Sequence, residues 1–185
     1  MNIRDATIND SEIILDIMEY YFKNTAVHFS YSTEPIGEFR NTMARIMERY
    51  PFLVLEDNGN VKGFAYAKPF SEVPAYDWSC ELTIYIQPDS KRKGFGRQLY
   101  KTLEEKLMKM RIKNLYAYIA YTEREDEHLD NSSMKFHEKM GFKKIARFSS
   151  CGYKFNKWYD VIWMEKIISK HEHNPEKIIN YIHFK

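Results

Sequence analysis

Residues 87–97 read QPDSKRKGFGR and separate two segments of different pattern. Before them, residues 81–86 (ELTIYI) form an apolar run of strand length, and beyond Gly96 the leucines recur at helical spacing. The proline and the two glycines of the intervening stretch are typical of a loop. The sequence therefore predicts a strand, a basic loop and an amphipathic helix, in that order.

The basic loop has the composition of an anion site. Gly94 and Gly96 allow backbone N–H groups to approach a ligand closely, and the N-terminus of the following helix adds partial positive charge. The side chains of Lys91, Arg92 and Lys93 add further attraction, so the natural ligand is a diphosphate. We therefore expect both glycines to be intolerant of side chains. The alternative is an ordinary basic turn, because the loop matches neither a Walker A sequence nor GxGxxG.

The pattern on both sides of this loop predicts further strands and helices. Pro51 ends a helix, Asn58-Gly59 between two apolar runs predicts a hairpin, and Gly141 is suited to a helix C-cap. Predicted strands cover 3–6, 52–56, 61–67, 81–86, 115–121, 144–150 and 158–166, and predicted helices start near 11, 36, 97 and 132. A hairpin followed by strands that alternate with helices indicates an α/β fold, a single-layer mixed β-sheet flanked by helices.

Most of the chain is expected to form one domain. A length of 185 residues fits a single domain, and residues 1–166 contain no linker and no internal repeat. Residues 167–185 are polar with a small apolar set. We expect them to form an appended C-terminal helix or a flexible extension.

Composition excludes several classes of protein. Aromatic residues make up 16% of the chain, enough apolar surface to offset the entropy of ordering, which argues against a disordered chain. A net charge of +2 with one short basic run argues against a nucleic-acid partner. Since no apolar run reaches the ~20 residues of a membrane span and the start is polar, we expect a cytoplasmic protein without a membrane partner. Cys80 and Cys151 are too few for a disulfide framework or a cysteine zinc site, and no metal is expected.

Seven short motifs follow one another along the chain. They are IRDAT at 3–7, YAKPF at 66–70, AYDW at 75–78, ELTIYI at 81–86, KRKGFG at 91–96, FHEKMGF at 136–142 and GYKFNKWYD at 152–160. Together they resemble the GCN5-related N-acetyltransferase (GNAT) superfamily and, more narrowly, the phosphinothricin or methionine sulfoximine acetyltransferase family, over residues 1–166. The resemblance implies acetyl-CoA as donor, a small-molecule amine as acceptor, a splayed pair of parallel strands for the pantetheine arm, and a homodimer.

Two titratable residues match catalytic positions of that family. Acetyl transfer to an amine requires removal of a proton from the amine and polarisation of the thioester carbonyl. Glu81 matches the family's general base, and the alternative is a carboxylate paired with a nearby cation. His137 matches the histidine of the family's Leu-His-Glu motif, with Phe136 in place of leucine. Its near-neutral pKa suits proton transfer, and the alternative is a hydrogen-bonded helix histidine that shapes the pocket.

The resemblance also implies which residues bind acetyl-CoA. Backbone N–H groups of residues 84–86 contact the donor, and one of them polarises the thioester oxygen. Residues near the start of the helix at 132 contact the pantetheine or a phosphate, although Ser133 is equally suited to capping that helix. Lys91 stands where the family usually has Gln or Arg, and Asp130 where it usually has Asn. The candidates are Ile84, Tyr85, Ile86, Lys91, Arg92, Lys93, Gly94, Phe95, Gly96, Asp130, Asn131 and Ser133.

The acceptor segment departs from the family pattern. Relatives that acetylate phosphinothricin-like amino acids carry an arginine just before the Ala-Tyr pair, and this chain has Val73 and Pro74 there. An arginine fork is the natural partner of a substrate carboxylate. We therefore expect poor activity on phosphinothricin and methionine sulfoximine unless Arg4, Arg40 or a lysine of the tail replaces it. The acceptor-pocket candidates are Phe29, Tyr31, Val73, Tyr76, Trp78 and Thr83, and for the aromatic ones plain packing is the alternative.

Other functions remain open. A polyamine acceptor would suit the acidic residues Glu72, Asp77 and Glu81, and a protein N-terminus would require the same chemistry. A non-catalytic acyl-CoA-binding sensor would keep the basic loop without turnover. Glu81 and His137 argue against a sensor, since a pure binder has no need of a titratable pair.

Overall fold

The computed structural model describes residues 1–184, which form a seven-stranded sheet flanked by helices. The strands are β1 (Asn2–Asp5), β2 (Phe52–Asp57), β3 (Asn60–Pro69), β4 (Ser79–Ile86), β5 (Asn114–Tyr121), β6 (Lys143–Lys154) and β7 (Lys157–Ile167). The α-helices are α1 (Ser11–Asn24), α2 (Ile36–Arg49), α3 (Phe95–Lys109) and α4 (Ser132–Lys139). The spatial order is β1-β2-β3-β4-β5-β7-β6, which confirms the predicted α/β fold with one mixed sheet.

The sheet contains one parallel pair of strands, β4 and β5. Their pairing is limited to three positions, Ser79 with Asn114, Cys80 with Leu115, and Glu81 with Tyr116. Both strands continue for five residues beyond the last pair, β4 to Ile86 and β5 to Tyr121. The sheet therefore opens into a gap between them, which we call the β4–β5 slot.

Each face of the sheet is covered by one pair of helices. On one face, α3 packs Leu99, Leu103 and Leu107 against Cys80 and Leu82 of β4, and α4 lies beside it. On the other face, α1 and α2 cover the aromatic side chains of β2 and β3, Phe52 and Phe64. Burial of apolar area on both faces fixes the sheet as the middle layer.

Local signals in the sequence mark most element ends correctly. Asn58 and Gly59 form the predicted turn, with φ of 50° and 75°, and Gly141 follows α4 with φ of 92°. Strands β6 and β7 are longer than predicted, because left-handed residues Phe155 and Asn156 close them into a tight hairpin. Helix α3 begins at Phe95, two residues earlier than predicted.

The C-terminal tail lies against the body of the molecule. The structure gives residues 168–180 no α-helix and ends in a short 3-10 turn, Tyr181–Phe184. The indole Nε1 of Trp78 donates to the carbonyl of Glu176 at 2.9 Å, and the side chain of Tyr181 is 2% exposed. Residues 168–184 therefore contact the body of the molecule and contain no α-helix.

In the part of the chain that the structure describes, no helix has the length and hydropathy needed to cross a membrane.

Candidate active site

The β4–β5 slot exposes backbone donors of β4. The N–H of Gln87 bonds to Lys62 of β3 at 2.8 Å, and N–H groups along an antiparallel strand alternate in direction. The N–H groups of Ile84 and Ile86 therefore point away from β3 into the slot, whereas that of Tyr85 points to β3. The hydroxyl of Tyr21 in α1 donates to the Ile86 carbonyl at 2.5 Å and fastens this end of the strand.

The basic loop opens directly onto the slot. Arg92 and Gly94 have φ of 63° and 84°, so the chain turns sharply just before α3 begins. Lys91, Arg92 and Lys93 are exposed, and so is Arg97 in the first turn of α3. Since the first N–H groups of a helix have no partners within it, cationic side chains and free amides face one region. Arg97 is not among the residues predicted to bind the cofactor. Its position directly after Gly96, at the start of the predicted helix, is the sequence signal that identifies it.

The two glycines of this loop have different functions. A Cβ on Gly94 would meet no atom within 4 Å, so its left-handed backbone is the reason for glycine. A Cβ on Gly96 would lie 3.4 Å from Phe136 and 3.7 Å from Ile84, which is close packing of α3 rather than an approach to the loop. The side chain of Phe95 is 8% exposed and belongs to the core, so it is not available to a ligand.

The far side of the slot is formed by the segment that leads into α4. Asn131 is 9% exposed and its amide donates to the Thr122 carbonyl at 2.8 Å, which closes the loop after β5. The carboxylate of Asp130 accepts from the N–H of Ser132, the first residue of α4, at 3.0 Å. Partial burial raises the pKa of Asp130, but the bonds from Ser132 and the charge of Lys91 outweigh it and lower the pKa below its usual value. Lys91 and Asp130 thus attract each other from the two sides of the slot.

His137 lies inside the packing of α3 and α4. Its Nδ1 contacts the Ser133 carbonyl at 2.8 Å, and its Nε2 contacts the hydroxyl of Tyr100 at 2.6 Å. These partners assign the proton to Nδ1 and make Nε2 the acceptor. The ring is 3% exposed, and burial lowers its pKa to about 4. Both nitrogens are occupied, so this geometry favours the alternative of a buried, hydrogen-bonded helix histidine over proton transfer.

Glu81 lies where the slot begins. It forms the last β4–β5 pair with Tyr116, and its side chain is 20% exposed. The ammonium of Lys68, on β3, is 3.1 Å from Oε1 of Glu81. The carboxylate therefore reaches solvent at the base of the slot and at the same time forms the ion pair considered from sequence.

An aromatic surface lies beside Glu81. Phe70 and Tyr116 have ring centroids 4.6 Å apart, and Trp163 on β7 is 5.5 Å from Phe70. Tyr76 and Tyr118 extend this surface and are about half exposed, at 46% and 50%. It offers apolar area and ring faces to an acceptor next to the carboxylate.

The structure does not bring all predicted acceptor residues to this surface. Thr83 follows Glu81 on the same face of β4, and Val73 is 54% exposed in the loop before β4. Trp78 is held by the tail at the start of β4, through the bond to Glu176. Phe29 and Tyr31 belong to the segment between α1 and α2, which we call the α1–α2 loop (residues 25–35).

The α1–α2 loop is attached to the β6–β7 hairpin by a buried lysine. Lys154 is 2% exposed. Its ammonium donates to four carbonyls at 2.6 to 3.0 Å, those of Phe22, Thr25, His28 and Ser30. Sequence reasoning missed Lys154, since its partners lie more than 120 residues away.

Two of the predicted acceptor residues strengthen this attachment. Phe29 covers Gly152, where a Cβ would lie 2.1 Å from the ring, and the hydroxyl of Tyr31 donates to the Tyr153 carbonyl at 2.8 Å. The loop is therefore held in one place over the sheet.

Comparisons with known proteins agree with this geometry. A family model described as an acetyltransferase (GNAT) domain matches residues 3–163. The phosphinothricin N-acetyltransferase of Streptomyces viridochromogenes is 32% identical over 161 residues, which cover 87% of this chain and 84% of that protein. The L-methionine sulfoximine/L-methionine sulfone acetyltransferase of Salmonella typhimurium is 27% identical over 172 residues, covering 92% and 96%.

One similar solved structure contains acetyl-CoA. An acetyltransferase of Salmonella typhimurium, determined with acetyl-CoA, matches with a TM-score of 0.84 at 26% identity, over 94% of this chain and 97% of that one. The family model and this solved structure both indicate acetyl-CoA as the cosubstrate. The chain belongs to the GNAT family and is an acetyl-CoA-dependent N-acetyltransferase.

Proposed function

We propose that this enzyme acetylates the primary amine of a small molecule, an amino acid or an amino-acid analogue, with Glu81 as general base. The observation that carries the proposal is the position of the Glu81 carboxylate, partly exposed at the base of the β4–β5 slot and next to an open aromatic surface. The names of two relatives, phosphinothricin N-acetyltransferase and methionine sulfoximine/methionine sulfone acetyltransferase, support an amino-acid-like acceptor.

The chemistry of transfer fits these groups. Glu81 takes a proton from the acceptor ammonium, and the neutral nitrogen then attacks the thioester carbon. The N–H groups of Ile84 and Ile86 are the candidate donors to the developing oxyanion, since they are fixed before the reaction. The C–N bond forms, the C–S bond breaks, the CoA thiolate leaves, and the nitrogen loses its second proton to water.

Cofactor binding is assigned to the two sides of the slot. The cations Lys91, Arg92, Lys93 and Arg97, with the first amides of α3, would hold the pyrophosphate. Asp130 and Ser133, at the start of α4, lie where the pantetheine arm would pass, and Asn131 would act by fixing that segment. His137 would shape the packing of α3 against α4 without touching either substrate.

A polyamine acceptor is less well supported. Such a ligand needs carboxylates without cation partners, and Asp77 is paired with Arg49 at 2.5 Å while Glu81 is paired with Lys68. Glu72 is exposed on the loop before β4 and does not complete an acidic pocket by itself.

The function is tested by release of free thiol from acetyl-CoA in the presence of a panel of small amines. Release stimulated by an amine supports the enzyme. Tight binding of acetyl-CoA without stimulated release by any amine would favour the acyl-CoA-binding sensor instead.

The role of Glu81 is tested by Glu81→Gln. We expect kcat near neutral pH to fall by roughly one to three orders of magnitude, because a general base typically contributes in this range. The acetyl-CoA KM should change little. The control is Glu165→Gln, which removes a carboxylate on β7 that accepts a hydrogen bond from the Tyr116 hydroxyl on β5. A Glu81→Gln variant with full activity and an unchanged pH profile would make Glu81 structural.

The homodimer remains a prediction. Exposed aromatic side chains on β6 and β7, among them Phe148, Tyr153 and Trp158, are the surface to which we assign it. The mass in solution, measured by light scattering, tests this assignment.

A further inference from the structure

We propose that Lys68 binds the carboxylate of the acceptor while Glu81 receives its amine, so that the paired side chains recognise an α-amino acid as a unit. This inference rests on the proposed function and names a specificity-determining residue for it. Val73 and Pro74 stand where the family carries an arginine, and Lys68 would supply the cation that the acceptor carboxylate otherwise lacks.

Arg4 and Arg40, two of the cations expected to replace the missing arginine, are already occupied. The guanidinium of Arg4 bonds to Glu56 at 2.8 Å and to Asp10 at 2.7 Å, on the edge strand β1. Arg40, on α2, bonds to Ser11 at 3.0 Å and to Glu12 at 3.1 Å, both on α1. Arg4 is not near Glu81 in the sheet, because β1 is separated from β4 by two strands.

Lys68 is near Glu81 through strand pairing. The two residues are direct partners in the β3–β4 register, and their side chains leave the sheet on the same face as those of Tyr66 and Thr83. The Lys68 side chain is 42% exposed, so its ammonium reaches solvent beside the slot. Glu81 Oε1 accepts from one of three N–H bonds of that ammonium, and the others can donate to a ligand.

An ion pair of this geometry is the electrostatic complement of a zwitterion. The ammonium and carboxylate of an α-amino acid are attached to one carbon, and the Lys68 and Glu81 charges are 3.1 Å apart with the opposite order. Placed over the pair, the acceptor carboxylate meets Lys68 as its ammonium meets Glu81. Hydrogen bonds between charged groups are stronger than neutral ones. The same orientation points the amine at the carboxylate that removes its proton.

The ion pair between Lys68 and Glu81 is not explained by a contribution to stability. The Lys68 side chain is 42% exposed, so solvent screens its charge and its ion pair with Glu81 contributes little to folding. A lysine also binds a carboxylate as a point charge rather than as a planar fork. We therefore expect recognition of the α-carboxylate group without the strict orientation that an arginine imposes.

The experiment compares two acceptors that differ in the carboxylate alone. These are L-methionine sulfone and its decarboxylated amine, which has hydrogen in place of the carboxylate. Values of kcat/KM from thiol release are measured for wild type, Lys68→Met and Lys68→Arg. The quantity compared is the ratio of kcat/KM for L-methionine sulfone to kcat/KM for the decarboxylated amine. This ratio isolates the contribution of the carboxylate, because any effect on Glu81 or on acetyl-CoA is common to both acceptors.

We expect Lys68→Met to lower the ratio by about 10- to 150-fold, the range for one hydrogen bond to a charged group. Lys68→Arg should keep the ratio within about threefold, because it retains the charge. The matched control is Lys166→Met, which removes a lysine from another ion pair, with Glu104 at 2.6 Å, on the opposite face of the sheet. It should leave the ratio unchanged.

Each other outcome overturns the inference. An equal loss for both acceptors in Lys68→Met, which leaves the ratio unchanged, would mean that Lys68 acts through Glu81. No loss for either acceptor would place the carboxylate elsewhere. Wild-type turnover of the decarboxylated amine without turnover of the amino acid would overturn the inference and leave the proposed function intact. If neither acceptor nor any other amine stimulates thiol release, the proposed function fails as well.

Discussion

At the scale of single residues, Gly94 holds the backbone of the basic loop in a conformation that other residues avoid. Its φ of 84° and the open space around it mean that a side chain would strain the backbone without meeting a neighbour. A left-handed conformation costs an L-residue about 1–2 kcal/mol. We expect Gly94→Ala to raise the acetyl-CoA KM by about 5- to 30-fold, as measured by steady-state kinetics.

The matched control for this prediction is Gly96→Ala, whose Cβ would rest at 3.4 Å from Phe136. It should change the acetyl-CoA KM less than Gly94→Ala does. The larger Gly96→Val would press on Phe136 and Ile84 and disturb the packing of α3 as well as the loop. An unchanged KM in Gly94→Ala would show that the loop does not hold the donor.

His137 is expected to make stability depend on pH. Burial lowers its pKa to about 4, below the usual 6.5 of the unfolded chain. As pH falls through 6.5, the unfolded state takes up a proton that the folded state refuses. The free energy of unfolding therefore decreases from about pH 6.5 down to about pH 4, by about 1.4 kcal/mol per pH unit for one such group. His28, whose pKa is lowered to about 4 by burial and by nearby Lys154 and Lys68, adds to the same trend.

Urea unfolding at several pH values between 4 and 7 measures this slope. In His137→Gln the free energy of unfolding should change less steeply with pH than in the wild type, by nearly the 1.4 kcal/mol per pH unit that corresponds to about one proton. In His173→Gln, which removes an exposed histidine of the tail, it should be unchanged. Equal slopes in the wild type and His137→Gln would mean that the buried ring is protonated in the folded state.

At the scale of elements, the β6–β7 hairpin positions the α1–α2 loop through Lys154. Burial lowers the pKa of this lysine, and four carbonyls that point at its ammonium compensate for the lost hydration. Lys154→Met would leave those carbonyls without their donor. We expect a loss of about 2–4 kcal/mol in the free energy of unfolding. We also expect a raised KM for the amine, because His28 of this loop lies near Lys68, with the acetyl-CoA KM nearly unchanged.

Lys143→Met is the control for this prediction, because Lys143 is an exposed lysine of the same strand. It should alter neither stability nor the amine KM. Equal rises in both KM values for Lys154→Met would contradict a specific effect on the acceptor side of the site.

At the scale of the whole molecule, the tail joins the two ends of the chain and covers the core. The hydroxyl of Tyr181 donates to Asp5 on β1 at 2.6 Å, and the N–H of Ile179 bonds to the Met110 carbonyl after α3 at 3.2 Å. Lys113, which is 8% exposed, pairs with Glu172 at 2.5 Å. These contacts place the tail at the end of the sheet where β4 and β5 begin, opposite the opening of the slot, and we therefore expect it to stabilise the fold.

We expect Tyr181→Ala to cost about 3 kcal/mol, because a large buried side chain is lost. For a chain of this size the melting temperature should fall by about 6–12 °C, measured by calorimetry. Activity at 25 °C should be retained. The matched control is Ile182→Ala, at a position 53% exposed, and its melting temperature should equal that of the wild type. A normal melting temperature in Tyr181→Ala would show that the tail does not support the fold.

The sequence by itself determined the order and type of the elements. Asn58-Gly59, Pro51, Gly141 and the spacing of apolar residues act on the backbone within a few positions, so their effects are local and can be read directly. The strand, loop and helix around residues 81–110 are of this kind, and they indicated both the fold and the donor site. The motifs that resemble GNAT enzymes carried the assignment of Glu81.

Tertiary structure alone decided which side chains meet. The pairing of Lys68 with Glu81 depends on the register of two strands, and Lys154 meets carbonyls that precede it by 124 to 132 residues. The burial of His137 depends on Tyr100, and the place of the tail on Asp5, at opposite ends of the chain. Contacts of this kind are set by packing of the whole chain, because charge and hydrogen-bond partners are chosen by distance in space and leave no local pattern in sequence.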